Sequence, residues 1–231
     1  MSKAATRSSA ARVERAPLTA YPPKSLLDRA YNEIKFRIIT CRYRPGEVLS
    51  EAAISLELKI GRTPIHQAIH HLMMDGLISI MPRKGVMVRP ISIDEAMEII
   101  GVRLVTECYC ARLAADRADD TELKRLHDIV ESSEKVTEKR NVEQLMLLDR
   151  EFHDSLAHAA KNAVLVDVLR NLHERSLRFW FISLRDPKHH RDVLAQHRAI
   201  VKALQSRNPD AAEAAVRYHI LDFQHNVTQQ V

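Results

Sequence analysis

Four side chains in the second half of this sequence can converge on chemistry: Asp149, His153, His197 and His219. Asp149 and His153 stand four residues apart, so a helix would place them on one face. His197 opens the run His-Arg-Ala-Ile-Val-Lys-Ala-Leu, and His219 lies within Val-Arg-Tyr-His-Ile-Leu. One carboxylate and three imidazoles make a nitrogen–oxygen donor set for zinc or another first-row divalent metal. With four protein ligands, an octahedral ion would keep positions open for water or a ligand carboxylate. Chance is the competing explanation, because the chain holds 12 histidines and some must fall at suggestive spacing. His158, His173, His189, His190 and His225 read as surface residues. Cys108 and Cys110 do not form a metal box, since residues two apart point to different faces of a helix.

A second group of residues has the types that read nucleic acid. Arg62 and Thr63 open an apolar-periodic segment in which His66, Gln67 and His70 fall on the exposed side. Arg62 can pair with guanine edges, and His66 or Gln67 can meet bases or phosphates. Arg83 and Lys84 lie in a Pro82-Arg83-Lys84-Gly85 turn that can reach phosphates or the minor groove. The competing reading makes these solvated polar residues on a small helical domain.

The elements that would position both groups follow from periodicity and turn chemistry. Leu26, Leu27, Ala30, Ile34, Ile38 and Ile39 predict a helix over 25–40. Arg44-Pro45-Gly46-Glu47 is a turn, and Ser50 caps a short helix over 51–58. Thr63 is expected to cap the next helix, with Pro64 at its first position, and Asp75-Gly76 ends it. Residues 77–81 and 86–89 read as two strands joined by the basic hairpin. Two short helices, a tight turn and a basic hairpin make a winged helix-turn-helix, whose second helix enters the major groove.

Glycine, proline and charge divide the chain at one place. Gly46, Gly61, Gly76 and Gly85 precede residue 90, and only Gly101, Pro187 and Pro209 follow it. Residues 1–92 hold 15 Lys/Arg against 7 Asp/Glu, and residues 93–231 hold 20 against 23. A basic first part joined to a mildly acidic second part points to a polyanion partner for the first part alone. The second part predicts helices over about 94–117, 119–139, 141–159, 163–184, 190–206 and 209–227, each with an apolar stripe. Pro90 to Asp94 is the expected hinge. No apolar run approaches the roughly 20 residues that span a bilayer, and three cysteines are too few for a disulfide framework. A cytoplasmic setting is expected.

The runs Leu49-Ser50-Glu51-Ala52-Ala53-Ile54, Gly61-Arg62-Thr63-Pro64-Ile65-His66-Gln67-Ala68, Asp75-Gly76-Leu77-Ile78 and Pro82-Arg83-Lys84-Gly85-Val86 resemble the GntR family of bacterial transcription factors. The likeness spans the whole winged domain. It departs at Ala52, where the family usually carries a phosphate-contacting arginine, at His66, a frequent recognition-helix arginine, and at Lys59 and Gly61, usually Gly and Ser. The second half resembles the FCD ligand-binding domain of the FadR-type subfamily. The residues that carry this likeness are Arg103 with Glu107, Asp149-Arg150-Glu151-Phe152-His153, Asn162, His197 and His219.

The resemblance implies DNA contacts from Arg44, Arg62, Thr63, His66, Gln67, His70, Arg83, Lys84 and Gly85. It implies a metal held by Asp149, His153, His197 and His219, zinc first, with nickel or another first-row ion as alternatives. It also implies a small carboxylate effector contacted by Arg103, Asn162 and Arg175. Glu107, one turn on, is the alternative partner of a buried Arg103, because an unpaired buried charge is costly.

The expected fold is mainly α: an N-terminal arm (1–24, disordered), a winged helix-turn-helix (25–91) and an antiparallel all-α bundle of six or seven helices (92–231) for effector binding and dimerisation. The expected function is a ligand-responsive transcriptional regulator, more often a repressor, acting as a homodimer on a near-palindromic double-stranded operator, with no membrane partner. Two other readings stand beside it: a metal-dependent hydrolase-like enzyme, and a regulator whose metal only stiffens the bundle.

Overall fold

In the computed structural model, which describes residues 25–90, 92–183 and 187–230, the hydroxyl of Ser25 accepts the Asp28 N–H at 3.0 Å and starts helix α1, Leu26–Ile39. The arm expected over 1–24 lies outside the described residues. Helix α2, Glu51–Leu58, begins the same way at Ser50, whose Oγ accepts the Ala53 N–H at 3.1 Å. It ends at Lys59, which adopts the left-handed region with φ 53°. That conformation costs a side-chain-bearing residue about 1–2 kcal/mol, which explains why glycine suits this turn.

Helix α3, Arg62–Met74, differs from expectation at its start. Gly61, not Thr63, is its N-cap, with no side-chain cap. Pro64 therefore falls third in the first turn, where a missing N–H still costs nothing because those donors lack intrahelical partners. The other end is as the Asp75-Gly76 pair predicts. Gly76 N–H reaches Met73 O and Leu77 N–H reaches Leu72 O, both at 3.0 Å, with Gly76 at φ +73°. This is the double bond of a Schellman cap.

The wing has one strand more than the sequence predicts. Strands β2, Ile78–Met81, and β3, Gly85–Val88, pair antiparallel, and β1, Val48–Leu49, adds to the free side of β3, giving the order β1-β3-β2. Two residues carry no periodic signal, so only pairing reveals β1. Gly85 makes that pairing fit. A Cβ there would lie 2.5 Å from Leu49 O, and its φ of +109° excludes ordinary side chains. Gly85 thus has a structural reason for its identity that does not involve DNA.

Helices α4 (Ile93–Arg117), α5 (Asp120–Glu138), α6 (Val142–Ala159), α7 (Ala163–Ser183), α8 (Pro187–Gln205) and α9 (Pro209–Gln230) form the bundle. Ser92 caps α4, and Asp119 with Glu122 makes a capping box on α5. Asn141 and Asn208 accept N–H groups three residues on, opening α6 and α9. Helix α4 packs chiefly against α9, α5 against α6 and α8, and α6 against α7. None of these helices is long and apolar enough to cross a membrane.

Two apolar cores result, and α1 serves both. Ala30, Ile34 and Ile38 join Ile54, Ile65, Ile69, Leu72 and Val88 in the winged core. Phe36 and Ile39 turn the other way, into the bundle core with Ile100, Phe152 and Leu204. The sequence predicts a single stripe that takes in Ile39 and leaves out Phe36, and nothing in it marks Lys35 or Arg37 for burial. Both are buried.

Candidate DNA-reading face and metal-ligand cluster

Helix α3 buries Ile65, Ala68, Ile69 and Leu72, and so leaves the opposite side to solvent. Arg62, Thr63, His66, Gln67 and His70 are all exposed there, as are Arg44, Arg83 and Lys84. Arg83 sits at the hairpin tip with φ 65°. Glu51, in the first turn of α2, lies 3.0 Å from His66 Nδ1, and His66 meets the His70 ring edge-on at 4.6 Å. A carboxylate therefore holds His66 in place on this face.

The bundle brings the four candidate metal ligands together. His153 and Asp149 project from α6, His197 from α8 and His219 from α9. The three imidazoles are buried and offer nitrogens within 4.8 Å of one another. Asp149 Oδ1 lies 3.6 Å from His197 Nε2 and 3.9 Å from His153 Nε2. Each ring also has a neighbour on its outer side. His219 Nδ1 lies 2.8 Å from Gln196 Oε1, and Gln196 Nε2 donates to Asp222. His153 Nδ1 faces Glu107 Oε2 at 3.2 Å. His197 stacks on Phe152 with centroids 3.9 Å apart. This support fixes the ring orientations and aims Nε2 of His153 inward, as acceptors behind a metal-bound histidine do.

The electrostatics suit a cation. Burial lowers the His153 imidazole to about 4. Burial and the neighbouring rings hold His197 and His219 well below their ordinary value. All three are then neutral, with lone pairs to give. His197 Nε2 is buried without a hydrogen-bond partner, a costly state for a polar atom. Burial lifts the Asp149 carboxyl to about 8. Three neutral imidazoles, an orphaned nitrogen and a carboxyl awaiting compensation fit a divalent ion.

Two small cavities flank the cluster, and Asp149 and Trp180 border both. Arg103, Arg150, His153, His173, His219 and Phe223 line the first. Leu145, His190, Val193, Leu194 and His197 line the second. Each encloses about 20 Å³, room for about one water.

Arg103 reaches the first cavity but is already matched. Its Nε donates to Glu107 at 2.5 Å, and its guanidinium lies over Phe223. Burial raises the Glu107 carboxyl, but Arg103, His173 and the His153 contact outweigh it and hold it well below its ordinary value. The structure does not bring the other two expected effector residues here. Asn162 Oδ1 accepts the Leu165 N–H at 3.1 Å and caps α7. Arg175 NH2 donates to Glu95 at 2.6 Å, at the seam with the wing. Neither side chain lines the two cavities.

Sequence reasoning also missed His173, His189 and His190. Each reads as a surface residue, yet His189 and His190 are buried, and His173 Nε2 lies 3.0 Å from Glu107. A signal was available: His173 falls on the stripe of Leu169, Leu172, Ser176, Leu177 and Trp180, and His190 on that of Val193, Leu194 and His197. Cys108 and Cys110 are buried thiols, and burial pushes Cys110 up to about 12.

Comparison with known proteins adds an independent line. Residues 26–88 match the family described as "Bacterial regulatory proteins, gntR family", and residues 98–222 match the FCD domain. The chain is 28% identical over 208 residues to the HTH-type transcriptional repressor RspR of Escherichia coli, covering 90% of this chain and 91% of that one. It is 25% identical to the gluconate operon transcriptional repressor of Bacillus licheniformis, covering 84% and 82% respectively. The fold matches E. coli McbR/YncC with a TM-score of 0.80 at 19% identity, over 89% of this chain and 98% of that one.

Proposed function

The chain belongs to the GntR family of bacterial regulators and carries its FCD domain, and from that premise we propose that it represses transcription as a metal-loaded homodimer whose DNA affinity responds to a small carboxylate. Family membership makes it a transcriptional regulator, not an enzyme. Two relatives are named as repressors, which supports that sign of control. The gluconate operon relative suits a hydroxy acid as the kind of effector.

The observation that carries the control-site reading is the convergence of three neutral, buried imidazoles on Asp149. Asp149, His153, His197 and His219 would hold the ion, with zinc first and nickel or another first-row metal as alternatives. A bound ion would supply a Lewis-acid centre for an anionic oxygen. The adjoining cavity of about 20 Å³ is too small for an organic acid, so binding requires the bundle to open. That requirement ties occupancy to conformation.

A second copy of the chain would meet the apolar strip on α4 and α9. Val105 is 73% exposed and Tyr218 64%, beside Val102, Tyr109 and Leu221. A homodimer has two α3 helices to offer the two half-sites of a near-palindromic operator.

Metal binding should release protons with a defined pH dependence. The metal-free Asp149 holds a proton up to about pH 8, whereas the histidines are already neutral. Calorimetry at pH 7 in buffers of different ionisation enthalpy should give about one proton released per ion, falling toward zero above pH 9. Asp149→Asn should abolish that release. Proton release that persists in Asp149→Asn, or none in the unmodified protein at pH 7, would remove Asp149 from the ligand set.

A further inference from the structure

The two arginines that border the first cavity have different partners. Arg103 is closed off by Glu107, which also takes His173 at 3.0 Å and faces His153. That charge is balanced inside the bundle. Arg150, next in sequence to Asp149, instead donates to Glu174 on α7. Glu174 is almost fully buried and also pairs with Lys35 of α1. One carboxylate thus serves two cations.

The contacts run on without a break. Lys35 Nζ donates to the Tyr31 hydroxyl at 2.9 Å, and Tyr31 donates to Asp75, the C-cap of the recognition helix α3. Burial pushes the Tyr31 phenol up, so it stays a donor. Lys35 also lies 3.9 Å from Asp75. The line from the cavity to the end of α3 is therefore Arg150, Glu174, Lys35, Tyr31, Asp75. A cleft of about 370 Å³ borders all five residues, so this seam has room to rearrange.

We propose that Arg150, and not Arg103, recognises the effector's carboxylate, and that it does so by exchanging Glu174 for the ligand. The proposal rests on the reading of the cavity as the effector site. A free carboxylate offers Arg150 a bidentate partner. Glu174 then keeps only Lys35, and the line from α6 to α1 and α3 is cut at its first pair. Each part of the exchange differs between free and occupied protein, as a coupling between sites requires. A coupling of ordinary size changes DNA affinity about 5- to 150-fold.

The test uses the full-length, metal-loaded protein, a duplex from its own promoter region, and acetate and L-malate at millimolar concentration as probes. Glu174→Gln and Arg150→Gln should each weaken duplex binding about tenfold without ligand, with faster hydrogen exchange in α1 and the last turn of α3. Neither variant should respond further to the probes. Arg150→Lys, which keeps the charge on Glu174, should restore duplex binding to within about threefold. Variants that bind and respond like the unmodified protein overturn the proposal and leave the effector site standing. An unmodified protein indifferent to every carboxylate overturns the effector reading itself, and with it the exchange. Metal content unchanged in both variants separates either failure from damage to the ligand cluster.

Discussion

Replacing Glu107 by alanine should destabilise the bundle by about 3–5 kcal/mol, the cost of leaving a buried charge without its partner. Glu107 is 1% exposed and Arg103 4%. Total stability of a domain is only about 5–15 kcal/mol, so the loss should lower the melting temperature by roughly 10 °C in a chain of this size. The double variant Arg103→Met/Glu107→Leu should recover more than half of it, since apolar replacement of both partners removes the desolvation problem. A Glu107→Ala melting temperature within a degree or two of the unmodified protein would mean that the pair is solvated in solution. The charge has a pH signature as well. Its pKa is depressed in the folded state, so its contribution is present above the unfolded carboxylate value and is lost as pH falls through the folded one.

The double variant His197→Ala/His219→Ala should purify with almost no metal, where the unmodified protein carries close to one ion per chain. Losing even an outer-shell partner typically costs a metal site 10- to 100-fold in affinity, and two direct ligands cost more. The stability readout is more discriminating. Chelation should lower the melting temperature of the unmodified protein, because an ion present at about 100 times its dissociation constant contributes roughly 2.7 kcal/mol. It should leave the double variant unmoved. The variant should also be nearly as stable as the chelated protein. Deleting His197 leaves a cavity, but it also removes a buried nitrogen that lacks a partner. Normal metal content in the double variant would refute the ligand set. A chelator that melts the bundle without changing DNA or carboxylate binding would favour a purely structural ion.

Much of this architecture was legible in the residues because local chemistry and the fold agree. Ser50, Ser92 and Asp119 cap helices as their types predict, and Asp75-Gly76 stops α3. The candidate ligand set was legible for a different reason: Asp149 and His153 share one helical face, and the resemblance to the FCD domain added His197 and His219.

The rest was hidden where tertiary packing reverses a residue's usual behaviour. Lys35 and Arg37 are charged yet buried, because α1 is shared between two cores. Strand β1 exists only through its pairing with β3. Asn162 and Arg175 have the right types for an effector contact, but the fold sets them against Leu165 and Glu95, away from the two cavities. His173 looks like one more surface histidine until α7 brings it to Glu107. Apart from Asn162, whose partner is three residues on, these contacts reach to another element, beyond local pattern.

The most direct test of the account is operator binding by Arg62→Ala over a range of salt. Arg62 is exposed at the first position of α3, where a base-edge contact is worth about 1–3 kcal/mol. The variant should bind a duplex from its own promoter region about 5- to 150-fold more weakly, with discrimination between the operator and unrelated DNA reduced. The unmodified protein should lose affinity steeply as salt rises, as a basic domain neutralising phosphates does. Undiminished binding by Arg62→Ala, together with a salt slope near zero, would contradict the assignment of this face to DNA.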